Sequence, residues 1–270
     1  SLEKVHAWNK EFVKQSAEGK SYETLANDIE KALTFMKVIG FDPQSVPQLS
    51  EAYFYTSHEA LLLGYEEALT RQDSLTGMWY DCSAHMVWIG DRTRQLNGAH
   101  IEYLRGVHNP IGMKIGPEHD IDEIKQIMEV LNPENEWGRM VIITRFGKDK
   151  VAQYLPELLK NFKQEGFNVL WSCDPMHGNT YTSESNYKTR NFKDIHSEIR
   201  SFFQIHHAEG TVPGGVHFEL TGKDVTECVG GGQDIMDHHL ENNYATSCDP
   251  RLNAQQSLDL AFLIAEMLKN

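Results

Sequence analysis

An α/β protein built on a parallel sheet is what this sequence predicts, and three observations carry the prediction. Short apolar runs alternate with helical stretches six times along the chain. No glycine-rich phosphate loop follows any of the runs. Polar side chains gather instead just beyond the carboxyl ends of several runs.

The elements follow in order. Residues 1–50 read as a helical segment. Within it, residues 22–41 place Leu25, Ile29, Leu33 and Met36 at spacings of three and four, and Gly40 stops the pattern before Asp42-Pro43. The apolar runs lie at 52–56, 86–89, 111–115, 140–144, 169–171 and 216–220. Helices are expected at 58–70, 120–131, 151–165, 191–207 and 254–269. Ser57 reads as the cap of the first of these. In the last, Leu258, Ala261, Leu263, Ile264 and Leu268 form the expected apolar side. The consecutive residues Ser57, His58 and Glu59 do not make a catalytic triad, because chain neighbours cannot converge as nucleophile, base and orienter. His206-His207 and His238-His239 read as solvated.

Two architectures fit the alternation. An open doubly wound sheet announces itself by a phosphate loop, and Gly230-Gly231-Gly232 lacks the following Lys and lies outside a strand-to-helix turn. A (β/α)8 TIM barrel collects polar residues at the carboxyl ends of its strands, as this chain does. Residues 51–270 supply six βα units where a barrel needs eight.

The bulk charge narrows the function. With 25 basic and 39 acidic residues the net charge is −14, which argues against a nucleic-acid binder. It leaves room for a small anion, since a few cations reverse the field inside a cleft. No run of about 18 apolar residues predicts a membrane span. The opening residues lack the apolar core of a signal peptide, so a cytoplasmic protein is expected. Cys82, Cys173, Cys228 and Cys248 show no metal-knuckle spacing and read as reduced thiols.

The strand ends carry two chemical sets. Arg92, Lys114 and Arg145 follow or sit on three successive runs and suit a phosphate or carboxylate; ion pairing with the surplus acids is the plainer alternative. His177, Glu219 and Asp249 suit a divalent ion of the Mn, Fe, Co or Zn type, with His217 as a competitor for the imidazole position. Trp88 is placed either to wall a pocket or to fill the core.

Longer stretches carry a family resemblance. WIGDRTRQLNGAHIEYLRGVHNPIGMKIGP, CDPMHGNT, GGVHFELTGKDVTECVGG and CDPRLNAQQSLDLAFLIAEML resemble the type II 3-deoxy-D-arabino-heptulosonate 7-phosphate (DAHP) synthases, as do KVHAWNKEFV and SHEALLLGYEEAL. The resemblance implies a β/α barrel that condenses phosphoenolpyruvate with erythrose 4-phosphate and water, at the start of the shikimate pathway of aromatic amino acid biosynthesis. It implies a divalent metal, Mn or Co, held by His177, Glu219 and Asp249. It implies a phosphoenolpyruvate site at Asp91, Arg92, Lys114 and Arg145, with Lys114 and His177 as catalytic residues. Asp91 stands where the family usually has Glu.

The family's fourth metal ligand is a Cys near its first strand, and a Lys-Pro-Arg-Ser loop holds erythrose 4-phosphate. Neither stretch is in this sequence. The expectation is therefore the last six βα units, strands three to eight, with the first two strands on another or a cleaved polypeptide. The resemblance further implies a homo-oligomer, and inhibition by an aromatic amino acid through helices before residue 50. Two other readings stay open: another metal-dependent aldolase, or a non-catalytic regulatory barrel. An exposed apolar seam beside the first strand would favour the first reading, and open edges predict poor behaviour of the isolated chain.

Overall fold

The computed structural model describes residues 7, 10–11, 19–41 and 53–268. The chain divides into two compact units, one formed by Tyr55–Glu219 with Cys248–Pro250, the other by Ser1–Phe54, Leu220–Ser247 and Arg251–Asn270.

The first unit is built on a six-stranded parallel sheet. Its strands are β1 (Ser57–Glu59), β4 (Met86–Ile89), β5 (Ile111–Ile115), β6 (Met140–Thr144), β7 (Val169–Cys173) and β10 (Pro213–Val216). They lie side by side in chain order. A doubly wound sheet reverses its order at a switch point, whereas a barrel progresses strand by strand in one direction. The sheet is therefore of the barrel-like kind.

Helices α4 (Ile121–Leu131), α5 (Val151–Glu165) and α6 (Phe192–Glu209) fill the crossovers at nearly their expected positions. Asp120 caps α4 by accepting the N–H groups of Asp122 and Glu123, and Gly166 closes α5 at a φ of 74°.

Strand alternation decides what faces what. Val87, Ile89, Ile111, Met113, Ile115, Met140, Ile142, Trp171 and Cys173 belong to one apolar core with Ile124, Ile127, Leu155, Leu158, Phe162 and Phe202 of the helices. The intervening residues Trp88, Gly112, Lys114, Ile143 and Ser172 take the opposite face. Gly112 is required there, because an added Cβ would lie 2.7 Å from the Trp88 Cβ.

Two strands fall elsewhere than expected. Residues 53–56 are coil, with Phe54 88% exposed, and β1 forms at Ser57–Glu59 instead, paired with Met86, Val87 and Trp88. Residue 52 lies outside the described residues. Ser57 is thus a strand residue and caps nothing; the following helix, α2, spans only Leu63–Leu69. The last strand covers Pro213–Val216 rather than 216–220. Gly214 and Gly215 allow it, since a Cβ at Gly214 would meet Leu170 Cγ at 2.8 Å, and the ladder shifts register there. His217 adds one more N–H to the ladder, donating to the Cys173 carbonyl, and Glu219 follows in a loop.

Two hairpins and a short helix were not among the expected elements. They are β2 (Thr70–Gln72) with β3 (Trp79–Asp81), β8 (Thr180–Thr182) with β9 (Lys188–Arg190), and α3 (Ala99–Leu104). All four cysteines are free.

The second unit contains α1 (Gly19–Val38) and α7 (Ala254–Met267). A capping box starts α7: Asn253 Oδ1 accepts the Gln256 N–H, and Gln256 Oε1 accepts the Asn253 N–H. Its buried residues are Gln256, Asp259 and Leu260, not the expected stripe; Ala261 and Leu268 are exposed. Two of the three buried residues are polar, so apolar spacing did not mark the buried face. Gly230 and Gly231 form a tight turn at positive φ, bridging to Ile235, and no phosphate loop. No helix among the described residues is long and apolar enough to cross a membrane.

Candidate metal and anion site

The loops after β6, β7 and β10 bring the predicted residues together. His177, Glu219 and Asp249 each offer one ligand atom, and these atoms lie within 4.8 Å of one another. His177 starts a single 3-10 turn, His177–Asn179, just past β7. His177 Nε2 lies 3.3 Å from Glu219 Oε1 and 4.0 Å from Asp249 Oδ2.

Asp174 sets that orientation. Its carboxylate is fully buried and accepts four groups: the Lys114 ammonium, His177 Nδ1–H at 2.7 Å, and the backbone N–H of Met176 and of His177 at 3.0 and 3.2 Å. Burial opposes its ionisation, but the His177 hydrogen bond and the Lys114 charge prevail and hold the carboxyl well below the usual range. With Nδ1 donating to a carboxylate, Nε2 is the nitrogen turned towards Glu219 and Asp249, and the one a metal would take once its proton has left. Burial disfavours the charged imidazole, but hydrogen bonds to Asp174 and Glu219 raise it to about 9. A metal would have to displace that proton.

The loop geometry is enforced by two glycines. Gly147, at a φ of 83°, and Gly178 meet backbone to backbone, and a Cβ on Gly147 would lie 2.7 Å from the Gly178 carbonyl oxygen. Glu198 of α6 ties the loops together. Its Oε1 accepts the N–H of Phe146 and of Gly147, and its Oε2 accepts the Asn179 amide. Burial pushes the Glu198 carboxyl up to about 8 against those donors.

The expected cations divide. Lys114 is buried on Asp174, 5.9 Å from the centre of the Trp88 ring. Arg145 pairs with Asp91 at 3.0 Å, and the same carboxylate accepts the Gly116 N–H and the Arg94 Nε–H. The Asp91 side chain thus clamps Arg145. Arg92 is exposed and makes no ion pair among the described residues. Ion pairing therefore accounts for Lys114 and Arg145 and not, among the described residues, for Arg92.

His217 is not part of the ligand group. Burial, with Lys114 nearby, lowers it to about 4, and its ring stands edge-on to Trp88 at 5.2 Å. His206 is buried against Phe202 rather than solvated as expected, while His207 is exposed. His58 does meet a serine and a glutamate, but from elsewhere in the chain. Ser83 Oγ and Glu66 Oε1 both face its Nε2, at 3.2 and 2.8 Å, which leaves no relay through the ring.

Four site residues escaped the sequence reading: Asp174 as orienter, Glu198 as tie, and Lys188 and Arg190, which pair with Asp249 and Glu219. A Lys-Thr-Arg alternation in a polar stretch was the available signal for the last two.

A sequential parallel sheet with cations beside a His–Glu–Asp group defines a class: an α/β protein with a barrel-like sheet and a group that could hold a metal ion. The model of the Class-II DAHP synthetase family matches residues 1–265. The chain is 54% identical to a phospho-2-dehydro-3-deoxyheptonate aldolase of Streptomyces coelicolor, over all of this chain and 59% of that protein. It is 48% identical to phospho-2-dehydro-3-deoxyheptonate aldolase AroG of Mycolicibacterium smegmatis, again over all of this chain and 59% of the relative. The chain belongs to the Class-II DAHP synthetase family. It spans about three-fifths of the length of the curated relatives it matches.

Proposed function

We propose that these residues form the greater part of the active site of a metal-dependent 3-deoxy-7-phosphoheptulonate synthase. The reaction joins C3 of phosphoenolpyruvate to the aldehyde carbon of erythrose 4-phosphate, adds water at C2 and releases phosphate. The observation that carries the proposal is the placing of Lys114, through Asp174, next to the His177–Glu219–Asp249 group.

Each residue has a physical task in this reading. Arg92, Lys114 and Arg145 neutralise the carboxylate and phosphate of phosphoenolpyruvate and align its C3. Asp91 holds Arg145 in place by accepting its Nη1–H. Buried Lys114 concentrates positive charge where water keeps little hold on it. His177, Glu219 and Asp249 would hold the divalent metal, manganese or cobalt, which when bound acts as a Lewis acid on the aldehyde. Trp88 walls the phosphoenolpyruvate side, its ring beside the ammonium.

The proposal includes a barrel of eight strands, completed by two strands carried on the same or a separate polypeptide. In its support, β1 pairs among the described residues with β4 alone, and Tyr55, Leu61, Leu62 and Tyr65 next to it are all more than half exposed. Assembly as a homo-oligomer in the cytoplasm, and inhibition by an aromatic amino acid through the segment before residue 50, complete the reading.

The test is turnover in the intact protein. With Mn2+ present, phosphoenolpyruvate should be consumed only when erythrose 4-phosphate is added, and His177→Ala should abolish it. Full activity of His177→Ala would refute the assignment.

A further inference from the structure

We propose that the β8–β9 hairpin fixes how many oxygens Glu219 and Asp249 offer, and thereby which divalent ion the group accepts. The inference rests on the reading of His177, Glu219 and Asp249 as a metal site.

Lys188 and Arg190 are two apart on β9, so they share one face, while Thr189 between them is buried on the other. The shared face meets the two carboxylates. Arg190 is fully buried. Its Nη1 donates to Glu219 Oε2 and to the Pro250 carbonyl, and its Nε donates to Thr180 Oγ1, on its partner residue across the hairpin. Its Nη2 lies 3.7 Å from Asp249 Oδ1. The Lys188 ammonium takes that same Asp249 oxygen.

A division of labour follows, oxygen by oxygen. Each carboxylate has one oxygen covered by a cation, Oε2 of Glu219 and Oδ1 of Asp249. The other oxygen of each, Oε1 and Oδ2, faces His177 Nε2. For either carboxylate to grip an ion with both oxygens, it must first shed its cation. The group therefore presents one nitrogen and two single oxygens. That set suits Mn2+, Co2+ or Zn2+. Ca2+ is disfavoured, because it fills six to eight positions with oxygens and draws on two-oxygen carboxylates. Lys188 and Arg190 are positioning residues, acting on the ion through the carboxylates they hold.

Charge alone makes a different prediction. Removing a cation would tighten every divalent ion by a similar factor, leaving their ratio unchanged.

The experiment measures the Kd of Mn2+, by electron paramagnetic resonance, and of Ca2+, by competition, on the intact protein and its Lys188→Met and Lys188→Arg variants. Lys188 is half exposed, so its removal leaves no buried orphan. In Lys188→Met the preference for Mn2+ over Ca2+ should shrink about tenfold, through tighter Ca2+. Lys188→Arg should keep the wild-type ratio. Parallel tightening of both ions would overturn the proposal in favour of charge. Parallel weakening would overturn it in favour of a merely structural role. If the wild-type protein binds no Mn2+, the metal reading itself fails, and this outcome is distinct from the other two.

Discussion

Asp174→Asn is the most informative single change in this protein. The carboxylate is fully buried and serves two cationic partners, Lys114 and His177. The amide removes the charge and one acceptor, and turns an NH2 towards groups that need to donate. Lys114, itself 6% exposed, is left without its counter-charge. Breaking a buried pair by removing one partner costs about 3–5 kcal/mol. His177 loses the acceptor that fixed its Nδ1–H, so on losing one proton the ring is free to keep the other on Nε2, where a metal needs the lone pair. Losing such an orienting partner lowers metal affinity about 10–100-fold. Urea unfolding and a Mn2+ titration on the intact protein read the two effects separately. A variant within about 1 kcal/mol of wild-type stability that also keeps its Mn2+ affinity would refute the account of Asp174.

Two further outcomes follow from the loops and the core. Gly178→Ala drives a Cβ into the Gly147 backbone, so it should cost at least about 1–3 kcal/mol in urea unfolding and displace His177. His206 has its imidazole lowered from 6.5 to about 4 by burial, so the unfolded chain takes up the proton first. Its contribution to stability is whole above pH 6.5 and is lost as the pH falls towards 4, by about 3 kcal/mol at ~1.4 kcal/mol per pH unit. In His206→Phe, the fall in unfolding free energy between those pH values should be shallower by that amount, as measured by urea titrations across the range.

The legibility of the fold tracked burial. Strands β5 and β6 lie in the centre of the sheet, are almost wholly buried, and read from the sequence as continuous apolar runs. Strand β1 is a three-residue edge of polar side chains, and β10 begins Pro-Gly-Gly, so neither carries an apolar pattern. The run Tyr53-Phe54-Tyr55 misled because apolarity reports burial only when something covers it. At the site, Lys114, Arg145 and His177 were legible because the chain puts them at strand ends. Asp174, Lys188, Arg190 and Glu198 act through other residues. Lys188 and Arg190 meet their partners across long stretches of chain, and spacing along a sequence does not record such pairings.

Arg190 also bears on how this region can change over evolution. The chain leaves the sheet unit after Glu219, runs through Leu220–Ser247, and returns at Cys248–Pro250. One buried guanidinium holds both ends of that excursion, through the Glu219 carboxylate and the Pro250 carbonyl. The stretch between is fastened like a ribbon pinned at its two ends. Between the pins it is anchored again, because Val225, Glu227, Cys228 and Leu240 within it are buried. Insertions should therefore settle in its exposed turns, away from the pins and from those buried positions.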